Sequence, residues 1–513
     1  MRTPRVRRAR QVAGPLAGAA LLFLLVSLVH AEEDASIQEL KSAIGGLQDQ
    51  IDVLKDKLQD QALMTNDAPA PGLVLPDGYS LRLGGQYRVM GNKSNFTFHR
   101  AGVPGNQKTE SFINQRLRTW FNLGQHHETG YGVYMQLEMG HNTWGDDFEF
   151  PKTHAANGDE VGVELRRGFL WLRPNKDAII RVGVQGWHDR FGERPSFDDY
   201  LYSVDAYDSM RAVLANSVWD FNVGGVSAEG VFREDWHYRL GAFLLREGNR
   251  SFTGEGGTYL TTADLDYEWG SSLLGASVYY LKDHGGYSYG TFGGPGAVYD
   301  SGHDVWAGIR GHFEVDRFKP SFFFIYNRGK TDDPDWKHDG WAAKLATEVD
   351  TSIGTLVLQA LYATGEDNPT TTNSGEFRTI AQSVRDNFGS QGYWSLLGLT
   401  SPHGPSDVND LGLGLQNRGL GLFTLQSSLN HAFTDKVSGT LAAGWLRSAE
   451  QNPVSGSSNI GVELLAEVGW VLKPNLNLNV GGAYLFTGDF YRVPGAGNPD
   501  ALYELFTRLQ LEF

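Results

Sequence analysis

The sequence predicts an all-β fold, a transmembrane antiparallel β-barrel of about 18 strands, with about 16 or 20 strands left open as alternatives. Three observations lead to this fold class: an alternating segment at the C-terminus, many similar segments before it, and a regular rhythm of short and long connections. Beyond the N-terminal leader, no run of about 20 apolar residues could form a helical membrane span. Strands are therefore the elements that we expect to cross a membrane.

The closing segment, residues 501–513, alternates between apolar and polar side chains. Its more apolar face carries Tyr503, Leu505, Thr507, Leu509, Leu511 and Phe513. A period of two residues is that of a strand with one apolar side. A chain that ends on Phe in this way resembles the closing strands of bacterial outer-membrane β-barrels, which implies that location. An edge strand of a soluble sandwich is the alternative.

The connections between the remaining strand-like segments, which begin at Tyr79, alternate in length. In outer-membrane barrels both chain ends lie in the periplasm, turns at that end are short, and loops at the other end are long. Every second connection is short, as at Glu234-Asp235 and Lys473-Pro474, whereas 187–216 and 365–418 are long. Residues 207–214 could form an extra strand, but the number would then be odd, so we interpret them as part of a loop.

The residues before the barrel predict three further segments. A group of arginines and an apolar stretch at 12–29 indicate a secretory signal peptide over residues 1–31, with a retained anchor as the alternative. Ile and Leu at alternating spacings of three and four predict a periplasmic coiled-coil helix over residues 32–64, which would join copies into a homo-oligomer. A lone amphipathic helix is the alternative. Residues 65–78 form a proline-containing linker, and 79–513 form the barrel.

The predicted barrel is wide enough to leave an aqueous lumen, so its inward-facing charges are the candidate functional residues. The inward arginines all come from the first five predicted strands, and they are Arg82, Arg88, Arg116, Arg118, Arg166 and Arg181. Inward acids come mostly from later strands and include Asp264, Asp266 and Glu348. Either the arginines form a basic stripe that favours anions, or the charges simply pair with one another.

The long connection 187–216 is the best candidate for a loop that folds inward and narrows the lumen. It is rich in aromatic residues, and its charged residues are Arg190, Arg194, Asp198, Asp199, Asp205, Asp208 and Arg211. An external cap over the barrel is the alternative for this loop. In the still longer connection 365–418, residues 377–388 are expected to form a short helix over the mouth.

Two stretches resemble a known family. Residues 181–194 (RVGVQGWHDRFGER) and 207–213 (YDSMRAV) are similar to the pattern around the G-R-Q and F-D-x-x-R motifs of the alginate-export family. Residues 361–368 and 461–488 resemble two further stretches of that family. The resemblance implies an outer-membrane channel for an acidic polysaccharide, with Arg181 in the lumen and Arg211 as the second motif's arginine. Val184 stands where the family usually has Arg, and the coiled-coil segment resembles instead the leader helices of phosphate-selective porins.

These features together predict an outer-membrane porin for hydrophilic, anionic solutes or an acidic polysaccharide. The alternative is a barrel that sheathes a partner such as an electron-conduit cytochrome, whose haem would belong to the partner because the chain has no C-x-x-C-H. The chain has no H-E-x-x-H, no G-x-S-x-G and no phosphate-binding glycine loop, so we expect no enzyme, cofactor or metal. The net charge of -16 argues against nucleic acid, and the expected partners are outer-membrane lipid and the solute.

Overall fold

The structure is a computed structural model. It describes residues 73–95, 109–126, 129–144, 163–191, 220–233, 235–246, 257–283, 301–331, 337–366, 373–379, 415–495 and 500–513. The chain divides into a unit of residues 1–71 and a unit of residues 72–513, and every described residue belongs to the second unit. The predicted signal peptide and coiled-coil helix, and most of the linker, lie outside the described residues.

Within the described residues, eighteen long strands form one antiparallel sheet. In chain order they are β1 (Ser80–Ser94), β2 (Glu110–Gly124), β3 (Gly130–Thr143), β4 (Val163–Asn175), β5 (Ala178–His188), β6 (Asp220–Phe232), β7 (Trp236–Arg246), β8 (Thr258–Trp269), β9 (Ser272–Asp283), β10 (Gly302–His312), β11 (Phe318–Thr331), β12 (Lys337–Thr351), β13 (Gly354–Ala363), β14 (Leu422–Thr434), β15 (Val437–Arg447), β16 (Asn459–Lys473), β17 (Leu476–Thr487) and β18 (Leu502–Glu512). The predicted fold class and the expectation of about 18 strands are confirmed.

The sheet closes because β18 pairs with β1 as well as with β17. The closing register runs from Gln86 opposite Glu512 to Ser94 opposite Glu504. Beyond it, Phe513 N donates to Gly85 O at 2.9 Å and Gly85 N donates to Phe513 O at 2.6 Å. Each of the eighteen long strands that the structure describes is therefore paired on both sides, which is the condition for strands to span a bilayer.

Several short elements lie at the ends of the barrel. Leu73–Val74 pairs with the start of β1 around the 3-10 turn Pro76–Gly78, so the end of the predicted linker is already part of the sheet. Asn373–Ser374 pairs in parallel with the start of β12. Two more 3-10 turns are Asn417–Gly419 and Asp489–Tyr491. No helix of the described residues is long and apolar enough to cross a membrane.

Alternation along each strand separates an outer apolar face from an inner polar one. On β1, Leu83 is 65% exposed on the outside, whereas Gln86 is 2% exposed on the inside. On β18, Leu505, Leu509 and Leu511 are exposed on the outer face, as the sequence predicts. An apolar outer face is what a barrel needs against lipid, and polar inner residues are what an internal aqueous path needs.

Aromatic residues form two rows on the outer face. Near the short turns, neighbouring rings lie 5.0 to 6.0 Å apart in the order Phe232, Trp236, Tyr267, Trp269 and Phe313. Nearer the long loops, a second row with spacings of 5.0 to 6.5 Å comprises Phe324, Trp341, Tyr362, Phe423 and Trp445. Two such girdles, one at each end of the apolar surface, are typical of barrels that span a membrane.

The interior is not empty at the end with the long loops. Inward side chains of β5 to β18 there form an apolar cluster with residues of the connecting segments, including Phe191, Phe377, Leu420 and Phe490. These four residues are buried; Phe191, Phe377 and Phe490 come after strands, and Leu420 lies just before β14. Parts of the long connections therefore lie inside the barrel.

Candidate functional site

The inner wall of β18, β1 and β2 carries four buried arginines, which we call the arginine cluster: Arg88, Arg116, Arg118 and Arg508. Arg88 and Arg116 lie directly opposite each other on neighbouring strands, and Gln510 lies opposite Arg88 on its other side. Cross-strand partners have Cβ atoms about 5 Å apart, and like charges in that position destabilise a sheet. The arrangement therefore concentrates positive charge on one part of the wall.

A β-bulge fixes the position of Arg116. Gly140 is its cross-strand partner on β3, and the register shifts there because an extra residue is inserted. Gly140 has a φ of 120°, and a Cβ on it would lie 2.6 Å from the carbonyl oxygen of Gln115. Only glycine avoids both the backbone strain of this φ and the overlap with the carbonyl oxygen, so Gly140 determines where the bulge forms.

Neighbouring carboxylates partly balance the cluster. Arg118 Nε donates to Glu138 Oε2 at 2.5 Å, and Arg166 Nη1 donates to the same oxygen at 2.7 Å. Arg116 Nη2 donates to the neutral Gln86 Oε1 at 2.8 Å. Further round the wall, Arg181 forms an ion pair with Glu229, with both side chains buried. Arg118, Arg166 and Arg181 of the predicted stripe are thus ion-paired, and Arg88 and Arg116 lie opposite each other on neighbouring strands.

A second cluster of charges lies on the inner wall of β7 to β10. Asp264 Oδ1 accepts hydrogen bonds from Ser277 Oγ at 2.6 Å and Tyr279 OH at 2.7 Å. The same carboxylate lies 3.7 Å from Arg239 Nε and 3.9 Å from Arg310 Nη1. Arg310 also forms an ion pair with Asp266. Positive and negative charges are balanced in this cluster.

The chain that leaves β5 turns into the lumen. Phe191 is fully buried, and its ring lies 5.7 Å from that of Tyr279 on β9 and 6.0 Å from that of Phe323 on β11. The backbone N–H of Arg190 donates to the hydroxyl of Tyr279 at 3.3 Å. These contacts lie four to six strands away from β5, so residues 189–191 cross the interior of the barrel.

Residues 373–379, which we call the inner strap, lie against the inner wall of β10 to β12. Trp306 Nε1 donates to Arg378 O at 2.8 Å, and Arg378 N donates to Asn327 Oδ1 at 3.1 Å. Phe377 N donates to Thr364 O at 3.0 Å. The first three residues of the predicted helix 377–388 are not helical, and the bonds of Phe377 and Arg378 go to the wall; residues 380–388 lie outside the described residues.

Charged groups also converge at the inner strap. Glu376 is buried, and its carboxylate lies 3.5 Å from Arg378 Nε. On the wall beside the strap, His338 Nε2 of β12 lies 2.5 Å from Asp304 Oδ1 of β10. Burial raises the pKa of Glu376 to about 7; Arg378 opposes this shift, whereas the charges of Asp304 and Glu366 add to it. The Glu376 carboxyl group therefore changes its charge near neutral pH.

The structure places the predicted site residues as follows. Arg82 and Glu348 are half-buried and lie on the inward phase of β1 and β12. Of the predicted constriction loop, Arg190 is buried inside the barrel, but Arg194, Asp198, Asp199, Asp205, Asp208 and Arg211 lie outside the described residues. The prediction that residues 187–216 form a constriction therefore stays a prediction.

The sequence interpretation missed several inward cations of later strands: Arg239, Arg310, Lys344 and Arg508. It was therefore wrong to confine the basic residues to the first five strands. The alternation rule could have found them; Arg508, for example, lies between the outward Thr507 and Leu509. No group of three or more His, Asp and Glu side chains that could hold a metal ion occurs among the residues that the structure describes.

Comparisons with known proteins give the class of the fold. No protein-family model matches the chain, and no curated protein matches it. Acinetobacter baumannii OccAB4 is similar in structure, with a TM-score of 0.50 and 12% identity over 84% of this chain and 98% of that one. Pseudomonas aeruginosa OccK8 (OprE) has a TM-score of 0.50 and 10% identity over 86% of this chain and 99% of that one. The chain thus has the fold of bacterial outer-membrane porins, whereas membership of the alginate-export family stays a prediction.

Proposed function

We propose that this protein is an outer-membrane channel that passes small hydrophilic solutes and favours anionic ones. The observation that carries the proposal is the arginine cluster, in which Arg88 and Arg116 lie opposite each other on the inner wall. A pore selects ions by the charges that line it and not by the total charge of the protein. A channel with this wall favours anions even though the chain as a whole has a net charge of -16.

The inward-lying segments support a channel of restricted width. Residues 189–191 and the inner strap both bury side chains inside the barrel. An interior that is partly occupied by the chain's own residues favours a solute channel over a sheath around a second protein. We also propose a more specific solute, an acidic polysaccharide, and this choice depends on the resemblance to the alginate-export family.

Reversal potentials across planar bilayers test the proposal. We expect the purified barrel to conduct ions and to prefer anions in a salt gradient. The double change Arg88→Gln with Arg116→Gln should lower the anion-to-cation permeability ratio several-fold, most strongly at low salt, where screening is weakest. The fold should survive, since the change removes two like charges that face each other.

Arg328→Gln is the matched control, because this arginine is exposed on the outer face of β11 and does not line the interior. Its permeability ratio should equal that of the parent protein. A cation-selective parent channel, or a double variant with unchanged reversal potential, would contradict the assignment of selectivity to the arginine cluster.

A further inference from the structure

A row of basic residues lies on the outer face of the barrel, at the ends of four consecutive strands beside the long loops. Lys282 of β9 is the cross-strand partner of His303 of β10, His303 is the partner of Lys330 of β11, and Lys330 is the partner of Lys337 of β12. We call these four residues the rim row. Their outward position follows from alternation, because the next residues along three of the strands, Asp283, Asp304 and His338, are buried on the inner face.

The register gives the rim row a defined spacing. Neighbouring strands lie about 4.8 Å apart, so four strands spread these side chains over roughly 14 Å. Lys330 and Lys337 are direct cross-strand partners, so the register concentrates positive charge at this point of the rim. At the next outward-facing pair toward the membrane, Arg328 is the cross-strand partner of Asp339, so basic and acidic residues alternate there.

Aromatic side chains fix the height of the rim row relative to the bilayer. Tyr280, Tyr326 and Trp341 are exposed on the outer face of β9, β11 and β12, on the membrane side of the row. Tyr and Trp of such a girdle lie at the level of the lipid headgroups. The basic side chains just beyond them are therefore at the height of the headgroup phosphates.

We propose that the rim row binds the phosphate groups of a phosphorylated glycolipid, lipopolysaccharide, in the outer leaflet. Lysine ammonium groups at the membrane interface attract anionic headgroups, and a spread of roughly 14 Å suits a headgroup with more than one phosphate better than a single phosphodiester. The inference rests on the proposed function only for the orientation of the barrel, in which long loops face the cell exterior. It does not depend on ion selectivity or on conduction.

The lysines of the rim row also take part in interactions within the protein. In addition, the connection between Lys330 and Lys337 contains Asp332, Asp333 and Asp335. The competing explanation is that these cations serve only to balance the protein's own acids. An experiment must therefore measure lipid binding directly and compare variants that remove the same amount of charge.

The test is native mass spectrometry of the full-length protein in detergent, titrated with bisphosphorylated lipid A, phosphatidylglycerol or inorganic phosphate. We expect the parent protein to retain lipid A in preference to the other two. The triple change Lys282→Gln, Lys330→Gln and Lys337→Gln should weaken retention on the order of 100-fold, since each lysine near a charged headgroup contributes about a fivefold factor. The single change Lys330→Gln should give a smaller loss of the same kind and serves if the triple variant is not recovered folded.

The matched control is Lys176→Gln with Lys436→Gln and Lys473→Gln, which removes three exposed lysines at the end with the short turns. Its retention of lipid A should equal that of the parent protein. Equal retention by the rim-row variant and the control would overturn the proposal, and so would equal retention of phosphatidylglycerol by the parent. Because binding is measured without conduction, a failure here is distinct from a failure of the channel assignment.

Discussion

Asp264 has the largest set of cationic and hydroxyl neighbours on the inner wall of β7 to β10. Its carboxylate lies within 4 Å of two arginines and accepts hydrogen bonds from Ser277 and Tyr279. Removing one partner of a buried charge pair typically costs about 3 to 5 kcal/mol, because the remaining charges stay buried without compensation. This carboxylate therefore matters for stability more than a lumen charge that water solvates.

The change Asp264→Asn should lower the free energy of unfolding by about 3 kcal/mol, since the asparagine keeps the hydroxyl contacts but leaves Arg239 and Arg310 with less negative charge. The measurement is the denaturant midpoint of the barrel, followed by circular dichroism. Asp339→Asn is the control, because that aspartate is exposed on the outer face and its removal should change stability by less than about 1 kcal/mol. Equal midpoints for both variants would show that water, and not the arginines, balances Asp264.

At the residue scale, the sequence could predict which way a side chain points but not what it contacts. Alternation correctly places Arg116, Arg118 and Arg181 on the buried inner phase. The pairing of Arg118 with Glu138, however, depends on the register between β2 and β3, which a bulge shifts near Arg116. The alternation of side chains along one strand does not show which residues of the next strand lie opposite them. The sequence alone therefore could not decide between a basic stripe and charges that pair with one another.

In the described part of the connection after β5, the buried ring of Phe191 helps to anchor residues 189–191 to the wall. Phe191→Ala should release this anchor, because Tyr279 and Phe323 would lose the ring that packs between them. We expect a higher single-channel conductance or larger current fluctuations in planar bilayers, together with little loss of barrel stability. The control is Phe324→Ala, which removes the same ring from the outer face of the barrel. Unchanged conductance in the Phe191 variant would show that residues 189–191 do not narrow the path.

The inner strap should respond to pH through Glu376. Its pKa in the folded protein is about 7, above the ordinary value of 4.5, so the stabilising contribution is complete below about pH 4.5 and is lost as the pH rises through 7. A shift of this size corresponds to roughly 3 kcal/mol. Hydrogen exchange of the amides of residues 373–379, corrected for its intrinsic pH dependence, should show weaker protection at pH 8 than at pH 5.

The change Glu376→Gln should remove this pH response, since the amide side chain does not ionise. Arg378, Asp304 and Glu366 act on the same group, and His338 is paired with Asp304; all four remain in place, so any residual response reports on them. Glu314→Gln, at an exposed position beside the short turns, is the control and should keep the parent's pH dependence. A response that persists unchanged in the Glu376 variant would assign it to the neighbouring groups.

At the scale of elements, strands and short turns were predictable and the inward-lying segments were not. The rhythm of connections correctly gave the number of strands, because each strand must be long enough to cross the bilayer and must alternate in polarity. The inner strap has no such pattern. Its position depends on contacts with Trp306, Asn327 and Thr364, which come from three different parts of the chain.

The molecule as a whole is one sheet whose last strand completes the first. Asn92 Nδ2 donates to Glu504 Oε1 at 2.7 Å, across a separation of 412 residues. Most other strand pairs join segments that are close in the sequence, so they can form while the rest of the chain is still unfolded.

This closure has a consequence for biogenesis. Until β18 is available, β1 and the last strand already formed present open edges whose N–H and C=O groups have no partner in lipid. A chain that has lost only its final strand would keep nearly all of its local strand pairs and still be unable to reside stably in a bilayer. Membrane insertion of this barrel is therefore expected to be all-or-none, with its completion delayed until the C-terminal residues have been delivered.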